Sequence, residues 1–253
     1  MPDFTREFIK TGNGGSSVSI EVDIYNGKPG DKAIIIVHGA DGKNFEKYRQ
    51  TYIDLAVYLR ERGFLAVLFA ASGFPDANGE VRGVHTHTNM IEDIISILNH
   101  ISKDVSAIGL FGRSAGSGIS LEVARRDARV KSVAVWGCMP RIDKWYKEDN
   151  GEETFKKFFD ERGNKVDRER FFDFMCNAED IIGHVKQPVL LAGGSEDTTY
   201  VNAEEQYNML CKGDSSAKRQ MVIIKGAVHA MDKTNQAFSE YANLIADWFQ
   251  ITL

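Results

Sequence analysis

A regular alternation of short apolar runs with stretches of helical periodicity most constrains what this chain can fold into. The runs at residues 33–38 and 64–70 are almost wholly apolar, and a strand of that kind is buried on both faces. Between them, large apolar residues recur on one helical face: Phe45, Tyr48, Tyr52, Leu55 and Leu59. Strand and helix in repeating order predict an α/β fold, a mostly parallel sheet with helices on both of its faces.

The same periodicities predict eight strands and their connecting helices. The first two strands alternate in polarity, which is typical of a half-buried antiparallel pair. The predicted strands cover residues 6–11, 17–25, 33–38, 64–70, 105–111, 133–136, 188–192 and 221–224. The predicted helices cover residues 45–59, 91–101, 114–126, 204–211 and 236–249. Asn89 and Glu92 resemble a capping box before the second helix, and Gly63 is placed to end the first.

Nothing in the sequence divides the chain, so residues 1–253 are expected to form one domain. One interval, residues 141–187, is longer than a crossover helix and its loops require. Its excess is charged and aromatic, with Trp145, Tyr146, Phe155, Phe158, Phe159, Phe171, Phe172 and Phe174. We therefore predict a small helical insertion between strands six and seven at residues 141–180, which we call the cap segment.

Charge and composition exclude several classes of partner. The chain carries 31 basic and 36 acidic side chains, a net charge of −5, without the basic block typical of proteins that bind nucleic acid or anionic membranes. No run approaches the ~18 apolar residues of a membrane span, and no signal-peptide core follows the N-terminal charges. Three widely spaced cysteines, Cys138, Cys176 and Cys211, predict reduced thiols in a soluble cytoplasmic protein.

The strongest chemical signal is a G-x-S-x-G sequence, Gly112-Arg113-Ser114-Ala115-Gly116, between a predicted strand and a predicted helix. In that context the glycines allow a tight turn that leaves the serine hydroxyl exposed above the sheet. The N-terminus of the following helix offers backbone N–H groups to a developing oxyanion. This pattern predicts Ser114 as a nucleophile.

A histidine and a carboxylate that could activate this serine follow later strands. His229 comes just after the last predicted strand, at the sheet edge where catalytic groups gather in open α/β sheets. Asp197 lies in a Gly-rich turn after the preceding strand and is the favoured group to orient the imidazole. Glu196, its neighbour, and Asp232, close to the histidine in sequence, remain rivals for that role.

A small, flexible turn at His38-Gly39-Ala40 follows the first buried strand. It can direct the backbone N–H of Ala40 toward the same oxyanion as the N–H of Ala115. We expect His38 to brace this loop and not to act as a base.

Two patterns that could indicate a bound cofactor are incomplete. His85 and His87 could face the same way and bind a metal, but no third ligand lies nearby in sequence. The Gly-rich stretch at 112–118 is not followed by the G-K-[ST] of a phosphate-binding loop. We therefore expect neither a metal nor an organic cofactor.

The order of these motifs resembles the α/β-hydrolase superfamily. An antiparallel pair comes first, HG follows the third strand, G-x-S-x-G the fifth, an acid the seventh and a histidine the eighth. The resemblance covers nearly the whole chain. It implies Ser114 as nucleophile, Asp197 as acid, His229 as base, and Ala40 with Ala115 as oxyanion donors.

Within the superfamily, the chain looks most like small esterases related to dienelactone hydrolases and feruloyl esterases. It departs from them in the loop at residues 70–79, where an R-G-x-G-type turn is usual. It also has serine where dienelactone hydrolases typically carry cysteine, which favours an ordinary serine esterase.

These inferences predict a carboxylic-ester hydrolase for a small or medium-sized ester, acting through an acyl-enzyme. Trp136 and Met139 end a strand at the catalytic edge and are candidates to line the substrate pocket. A thioesterase, amidase, peptidase or acyltransferase would use the same groups, and a ligand receptor with slow turnover could keep them. The acyl group, the leaving group and the oligomeric state stay open.

Overall fold

The structure is a computed structural model that describes residues 4–12, 17–25, 32–40, 45–148, 153, 159, 163–197, 208–209 and 218–253. Within these residues, eight strands form one sheet in the order β1-β2-β4-β3-β5-β6-β7-β8. β2 pairs antiparallel with β1 and β4, and the remaining pairs are parallel. The predicted mixed, mostly parallel sheet is therefore confirmed.

The strand bounds lie close to the predicted ones, because buried apolar runs mark them. The strands are β1 (Thr5–Thr11), β2 (Val18–Tyr25), β3 (Lys32–Val37), β4 (Leu65–Phe69), β5 (Ala107–Arg113), β6 (Val130–Trp136), β7 (Val189–Gly194) and β8 (Arg219–Ile224). β6 begins three residues earlier than predicted. The prediction followed the apolar run, and the exposed Lys131 interrupts that run near the start of the strand.

Helices cover both faces of the sheet, as the buried strands require. They are α1 (Phe45–Glu61), α2 (His87–Ile101), α3 (Ala115–Arg126), α4 (Ile142–Glu148), α5 (Arg168–Asp173), α6 (Ala178–Ile181) and α7 (Phe238–Thr252). Residues of α2 and α3 belong to one apolar cluster on the sheet, and residues of α1 and α7 belong to a second. The helix predicted at 204–211 falls almost wholly outside the described residues.

The N-terminus of α2 corrects one prediction. Thr86, not Asn89, is the N-cap residue, and its Oγ1 accepts a hydrogen bond from the Asn89 backbone N–H at 3.0 Å. Asn89 is already helical, and its side-chain amide donates to the carbonyl of Val84 at 2.8 Å. Threonine serves as an N-cap almost as well as asparagine. The helix α2 can therefore begin directly after Thr86, about one turn earlier than predicted.

Short helices α4, α5 and α6 lie between β6 and β7, where the cap segment was predicted. Three of its aromatic side chains, Tyr146, Phe159 and Phe171, are buried and pack against one another at 5.2–5.7 Å between ring centroids. Phe172 is exposed, whereas the side chains of Trp145, Phe155 and Phe158 lie outside the described set. That this segment covers a substrate stays a prediction.

Two buried histidines contact the cap segment. The His85 ring lies 5.7 Å from the rings of both Phe159 and Phe171, and its backbone N–H donates to the carbonyl of Lys165 at 2.6 Å. His87 opens α2, and its Nδ1 accepts from the backbone N–H of Cys176 at 2.9 Å. Burial lowers the pKa of His87 to about 4, and burial with two neighbouring histidines lowers the pKa of His85 well below its usual range.

Both histidines are therefore neutral in the folded protein and become protonated on unfolding at moderately acidic pH. Because the unfolded chain binds the extra protons, stability is present above the ordinary histidine pKa of about 6.5 and falls as the pH drops below it. Asp93 acts in the opposite sense, since burial raises its pKa to about 6 and the folded state takes up that proton.

We expect His85→Phe to keep the ring packing and remove one of these titrations. Its free energy of unfolding, measured by urea titration between pH 7.5 and 4.5, should fall less steeply than that of the wild type, by about 1 kcal/mol per pH unit below pH 6. His184→Asn, at an exposed position, should reproduce the wild-type slope. Equal slopes for wild type and His85→Phe would contradict a neutral buried His85.

Candidate active site

The predicted nucleophile stands at a strained turn between β5 and α3. Ser114 directly precedes α3 and has φ 53° and ψ −123°, the one non-glycine residue with positive φ in the described part of the chain. Its backbone N–H donates to the carbonyl of Trp136 at 2.9 Å. A strained conformation of this kind persists only where its surroundings hold it in place, and such residues cluster at functional sites.

Close packing around the turn explains the glycines of the G-x-S-x-G sequence. A Cβ on Gly116 would lie 2.5 Å from the carbonyl oxygens of Val37 and His38, and one on Gly112 would lie 2.5 Å from that of Gly116. A Cβ on Gly39 would lie 3.0 Å from the Cβ of Ser114. The glycines therefore let α3 approach the ends of β3 and β5 and bring the His38-Gly39-Ala40 loop against the serine.

The structure brings the predicted base and the favoured acid together. The Nδ1 of His229 lies 2.8 Å from the Oδ2 of Asp197. The Asp197 side chain is fully buried, whereas that of His229 is 18% exposed. A buried carboxylate at Nδ1 favours the tautomer with the proton on that nitrogen, which leaves Nε2 as the basic atom.

Hydrogen bonds between neighbouring loops hold this pair at the sheet edge. The turn that carries Asp197 is bound to the loop after β8, because the N–H of Glu196 donates to the carbonyl of Ala227 at 3.0 Å. Gly194 permits this contact, since a Cβ there would lie 2.0 Å from the same carbonyl oxygen. Trp136 donates its indole N–H to the carbonyl of His229 at 3.1 Å.

The two rival carboxylates are engaged elsewhere. Glu196 is exposed, and its carboxylate accepts a hydrogen bond from the hydroxyl of Ser195 at 3.3 Å. Asp232 accepts from the backbone N–H of Thr234 at 2.9 Å, as the first residue of a turn. Of the three candidates, Asp197 is the one whose carboxylate lies within hydrogen-bond distance of the His229 ring.

The loop after β3 is braced as expected for His38. Its Nδ1 lies 2.7 Å from the carbonyl of Gly39, and its Nε2 accepts from the N–H of Ala71 at 3.2 Å. The N–H of Gly39 donates to the hydroxyl of Tyr52 at 3.0 Å, and the guanidinium of Arg113 lies 4.8 Å from the centre of the Tyr52 ring. These contacts tie the loop of the predicted oxyanion donor to α1 and to the nucleophile strand.

The predicted oxyanion donors both lie beside the serine. Ala115 is the first residue of α3, where helical N–H groups have no partner within the helix. Ala40 follows Gly39, whose Cα faces the Cβ of Ser114. Both alanines are partly buried, and their role as donors stays a prediction.

Trp136 and Met139, the candidate pocket residues, are both buried. Trp136 is 0% exposed and belongs to the apolar cluster beneath α1 and α7, where its ring packs on Tyr241 at 4.8 Å. Met139 is 7% exposed and belongs to the opposite cluster. Since Trp136 supports the backbone of His229, its position favours a supporting role over contact with a substrate.

Sequence reasoning missed Gly137, which directly follows β6. It has φ +58°, and a Cβ on it would lie 2.7 Å from the His229 ring and 3.1 Å from the Asp197 carboxylate. A glycine directly after a buried strand at the catalytic edge is the signal that could have pointed to it.

The described residues contain no group of three or more side chains that could hold a metal ion. His85 and His87 lie with ring centroids 6.1 Å apart, in the aromatic cluster under the cap segment. Cys138 and Cys176 are buried free thiols, and burial raises the pKa of Cys138 to about 12. Cys211 lies outside the described residues.

Comparison with known families agrees with this architecture. Residues 28–163, more than half of the chain, match the α/β-hydrolase family Hydrolase_4, described as "Serine aminopeptidase, S33". The chain belongs to this family. The match includes the turn with Ser114 and ends before Asp197 and His229.

Two Escherichia coli proteins are among the curated relatives of this chain, and each matches only part of it. The "Uncharacterized 31.7 kDa protein in traX-finO intergenic region" is 39% identical over 77 residues, which are 29% of this chain and 27% of that protein. The "Uncharacterized protein YcjY" of strain K12 is 27% identical over 132 residues, 49% of this chain and 42% of that protein. The chain thus matches less than half of the length of either relative.

Solved structures share the whole α/β-hydrolase fold. The Pyrococcus furiosus esterase Pf2001 superposes with a TM-score of 0.74 at 17% identity, covering 99% of this chain and 91% of that one. A dienelactone hydrolase from Anabaena variabilis gives 0.65 at 16% identity, covering 99% of both chains. DcsB, solved in complex with its substrate analogue, gives 0.76 at 18% identity, covering 99% of this chain and 100% of that one. At these identities the likeness shows the predicted α/β-hydrolase fold.

Among the residues that the structure describes, no helix is long and apolar enough to cross a bilayer.

The strain at Ser114 has a measurable consequence. We expect the free energy of unfolding of Ser114→Gly to be about 1 kcal/mol higher than that of Ser114→Ala, because glycine adopts a positive φ without steric cost. The comparison is made by urea unfolding of the two variants, neither of which keeps the hydroxyl.

Ser239, exposed in the helix α7, supplies the matched control. There Ser239→Gly should be less stable than Ser239→Ala, because glycine is a poor helix former. If Ser114→Gly were the less stable variant at the turn as well, the strain assigned to Ser114 would be absent.

Proposed function

We propose that this protein is a serine hydrolase that cleaves a carboxylic ester of a small or medium-sized substrate. The observation that carries the proposal is the bond of 2.8 Å between His229 and a fully buried Asp197. That pair lies at the same edge of the sheet as Ser114, which stands on a strained strand-to-helix turn. Groups of these three types, in this chain order, constitute the nucleophile, base and acid of acyl-transfer enzymes on this fold.

In the proposed reaction, Nε2 of His229 takes the proton of the Ser114 hydroxyl as its oxygen attacks the ester carbonyl. Asp197 holds the imidazole in the required tautomer and stabilises the imidazolium that forms. The N–H groups of Ala40 and Ala115 stabilise the tetrahedral oxyanion.

The intermediate collapses when the imidazolium returns its proton to the departing alcohol oxygen. The C–O bond to the alcohol breaks, and the acyl group remains on Ser114. His229 then deprotonates a water molecule, which attacks the acyl carbonyl carbon. The bond from that carbon to the Ser114 oxygen breaks, the imidazolium returns its proton to this oxygen, and the carboxylic acid leaves.

The choice of an ester rests on the structural neighbours, since both an esterase and a dienelactone hydrolase share the fold over nearly the whole chain. The second candidate is a peptidase, which the description of the matched family favours. The same acyl-enzyme serves both reactions, and the leaving group, alcohol or amine, distinguishes them.

The first test is steady-state hydrolysis of p-nitrophenyl esters from acetyl to long-chain acyl, alongside aminoacyl p-nitroanilides. We expect ester turnover in the wild type and a loss of 10³-fold or more in Ser114→Ala, because the covalent step disappears. The acyl length with the highest kcat/KM measures the size of the pocket. Turnover of anilides alone would replace the esterase proposal with the peptidase.

The acid is tested by a set of isosteric substitutions. Asp197→Asn should lower kcat by about 10⁴-fold, because the amide favours the wrong imidazole tautomer. Glu196→Gln and Asp232→Asn, the matched controls, should stay within a few-fold of the wild type. A large loss in either control with a mild effect at Asp197 would reassign the acid.

A further inference from the structure

Two consecutive residues at the end of β6, Trp136 and Gly137, contact all three groups of the proposed triad. The carbonyl of Trp136 accepts the backbone N–H of Ser114 at 2.9 Å. The indole N–H of Trp136 donates to the carbonyl of His229 at 3.1 Å. Gly137 faces both the His229 ring and the Asp197 carboxylate.

The register of the sheet brings this dipeptide to the site. Arg113, the last residue of β5, pairs with Trp136, and Trp136 pairs in turn with Ala192 of β7. The N–H of Gly137 then donates to the carbonyl of Ala192 at 2.9 Å, which extends the ladder by one residue. The dipeptide therefore lies between the strand that presents the serine and the strand that presents the acid.

Gly137 leaves no room for a side chain. A Cβ would lie 2.7 Å from both Cε1 and Nδ1 of His229 and 3.1 Å from Oδ2 of Asp197. Real Cβ contacts are essentially never shorter than 3.0 Å, so the imidazole would have to move. The atoms that would be pushed apart are those of the His229–Asp197 hydrogen bond.

Trp136 holds the backbone of His229 in place from the core side of the sheet. Its ring is fully buried and packs edge-on against Tyr241 of α7, at 4.8 Å between centroids. A tryptophan side chain has only two torsion angles, so holding the indole in one orientation costs little conformational entropy. The loop after β8 is thereby anchored to the core at the residue that carries the base.

We propose that Trp136 and Gly137 are positioning residues that hold Ser114, His229 and Asp197 in their reactive arrangement. Gly137 provides the space in which the imidazole meets the carboxylate, and Trp136 ties the histidine loop to the strand that also receives the serine N–H. This inference rests on the proposed function for its kinetic consequences, and on geometry alone for the hydrogen bond between His229 and Asp197.

Trp136→Phe tests the indole hydrogen bond, with Trp248→Phe as its control. Trp248 is also buried and donates its indole N–H at 3.1 Å to a carbonyl, that of Val133, farther back on the same strand. Trp136→Phe should lower kcat by about 10- to 100-fold with little change in KM, because small misplacements of catalytic groups have effects of this size. Trp248→Phe should lose stability to a similar degree and keep the wild-type kcat.

Gly137→Ala tests the space beside the imidazole, with Gly63→Ala as its control. Gly63 has φ +88°, and a Cβ there would meet no atom within 4 Å. Gly63→Ala therefore introduces the backbone strain of an alanine at positive φ without a steric contact. Gly137→Ala should lower kcat by about 10²-fold or more, because the added Cβ would displace the imidazole from the Asp197 carboxylate. Gly63→Ala should leave kcat unchanged.

A proton NMR measurement separates this proposal from the esterase assignment. The Nδ1 proton of His229, which is hydrogen-bonded to Asp197, should give a downfield resonance that Asp197→Asn abolishes. We expect the signal to shift or broaden in Gly137→Ala and Trp136→Phe and to persist in the two controls. This readout applies even if the wild type hydrolyses no ester.

Two results would overturn the positioning roles. One is a folded Gly137→Ala variant whose downfield signal and kcat are both unchanged from those of the wild type. The other is an equal loss of kcat in Trp136→Phe and Trp248→Phe, since that would reflect lost packing and not the bond to His229.

Discussion

The close approach of α3 to the ends of β3 and β5 is the constraint on which the rest of this site depends. Gly116 allows it, because any side chain there would collide with the carbonyl oxygens of Val37 and His38. A helix packed this close must begin immediately at the end of β5, and Ser114 therefore takes a positive φ in the turn between them. The apolar cluster beneath α2 and α3 supplies the packing energy that keeps the strained residue in place.

How much of this could be predicted depends on how local the determinants are. The serine turn was predictable, since the serine and both glycines that it needs lie within five consecutive residues between a strand and a helix. The choice of Asp197 over Glu196 was not fully determined by sequence, because adjacent residues in a turn point in different directions. That choice depends on the bond from the Glu196 N–H to Ala227, a contact with another loop.

The side on which a strand residue lies was the least predictable feature. In a strand buried on both faces, apolar residues occupy both sides, so the usual alternation carries no information. Trp136 could therefore have faced the catalytic edge or the core beneath α1 and α7, and the structure places it in the core. The N-terminus of α2 was misplaced for a related reason, because Thr86 and Asn89 are both good N-cap residues and tertiary packing selects between them.

The loop of the predicted oxyanion donor and the cap segment are connected through aromatic rings. His38, which braces that loop, contacts Phe74 edge-on at 4.7 Å between centroids, and Phe74 contacts His85 at the same distance. His85 in turn packs on Phe159 and Phe171 of the cap segment. Since buried rings are close-packed and cannot move independently, a displacement of the cap segment would be transmitted toward the loop beside Ser114. The cap segment therefore belongs mechanically to the site, although it contributes none of the three proposed triad residues.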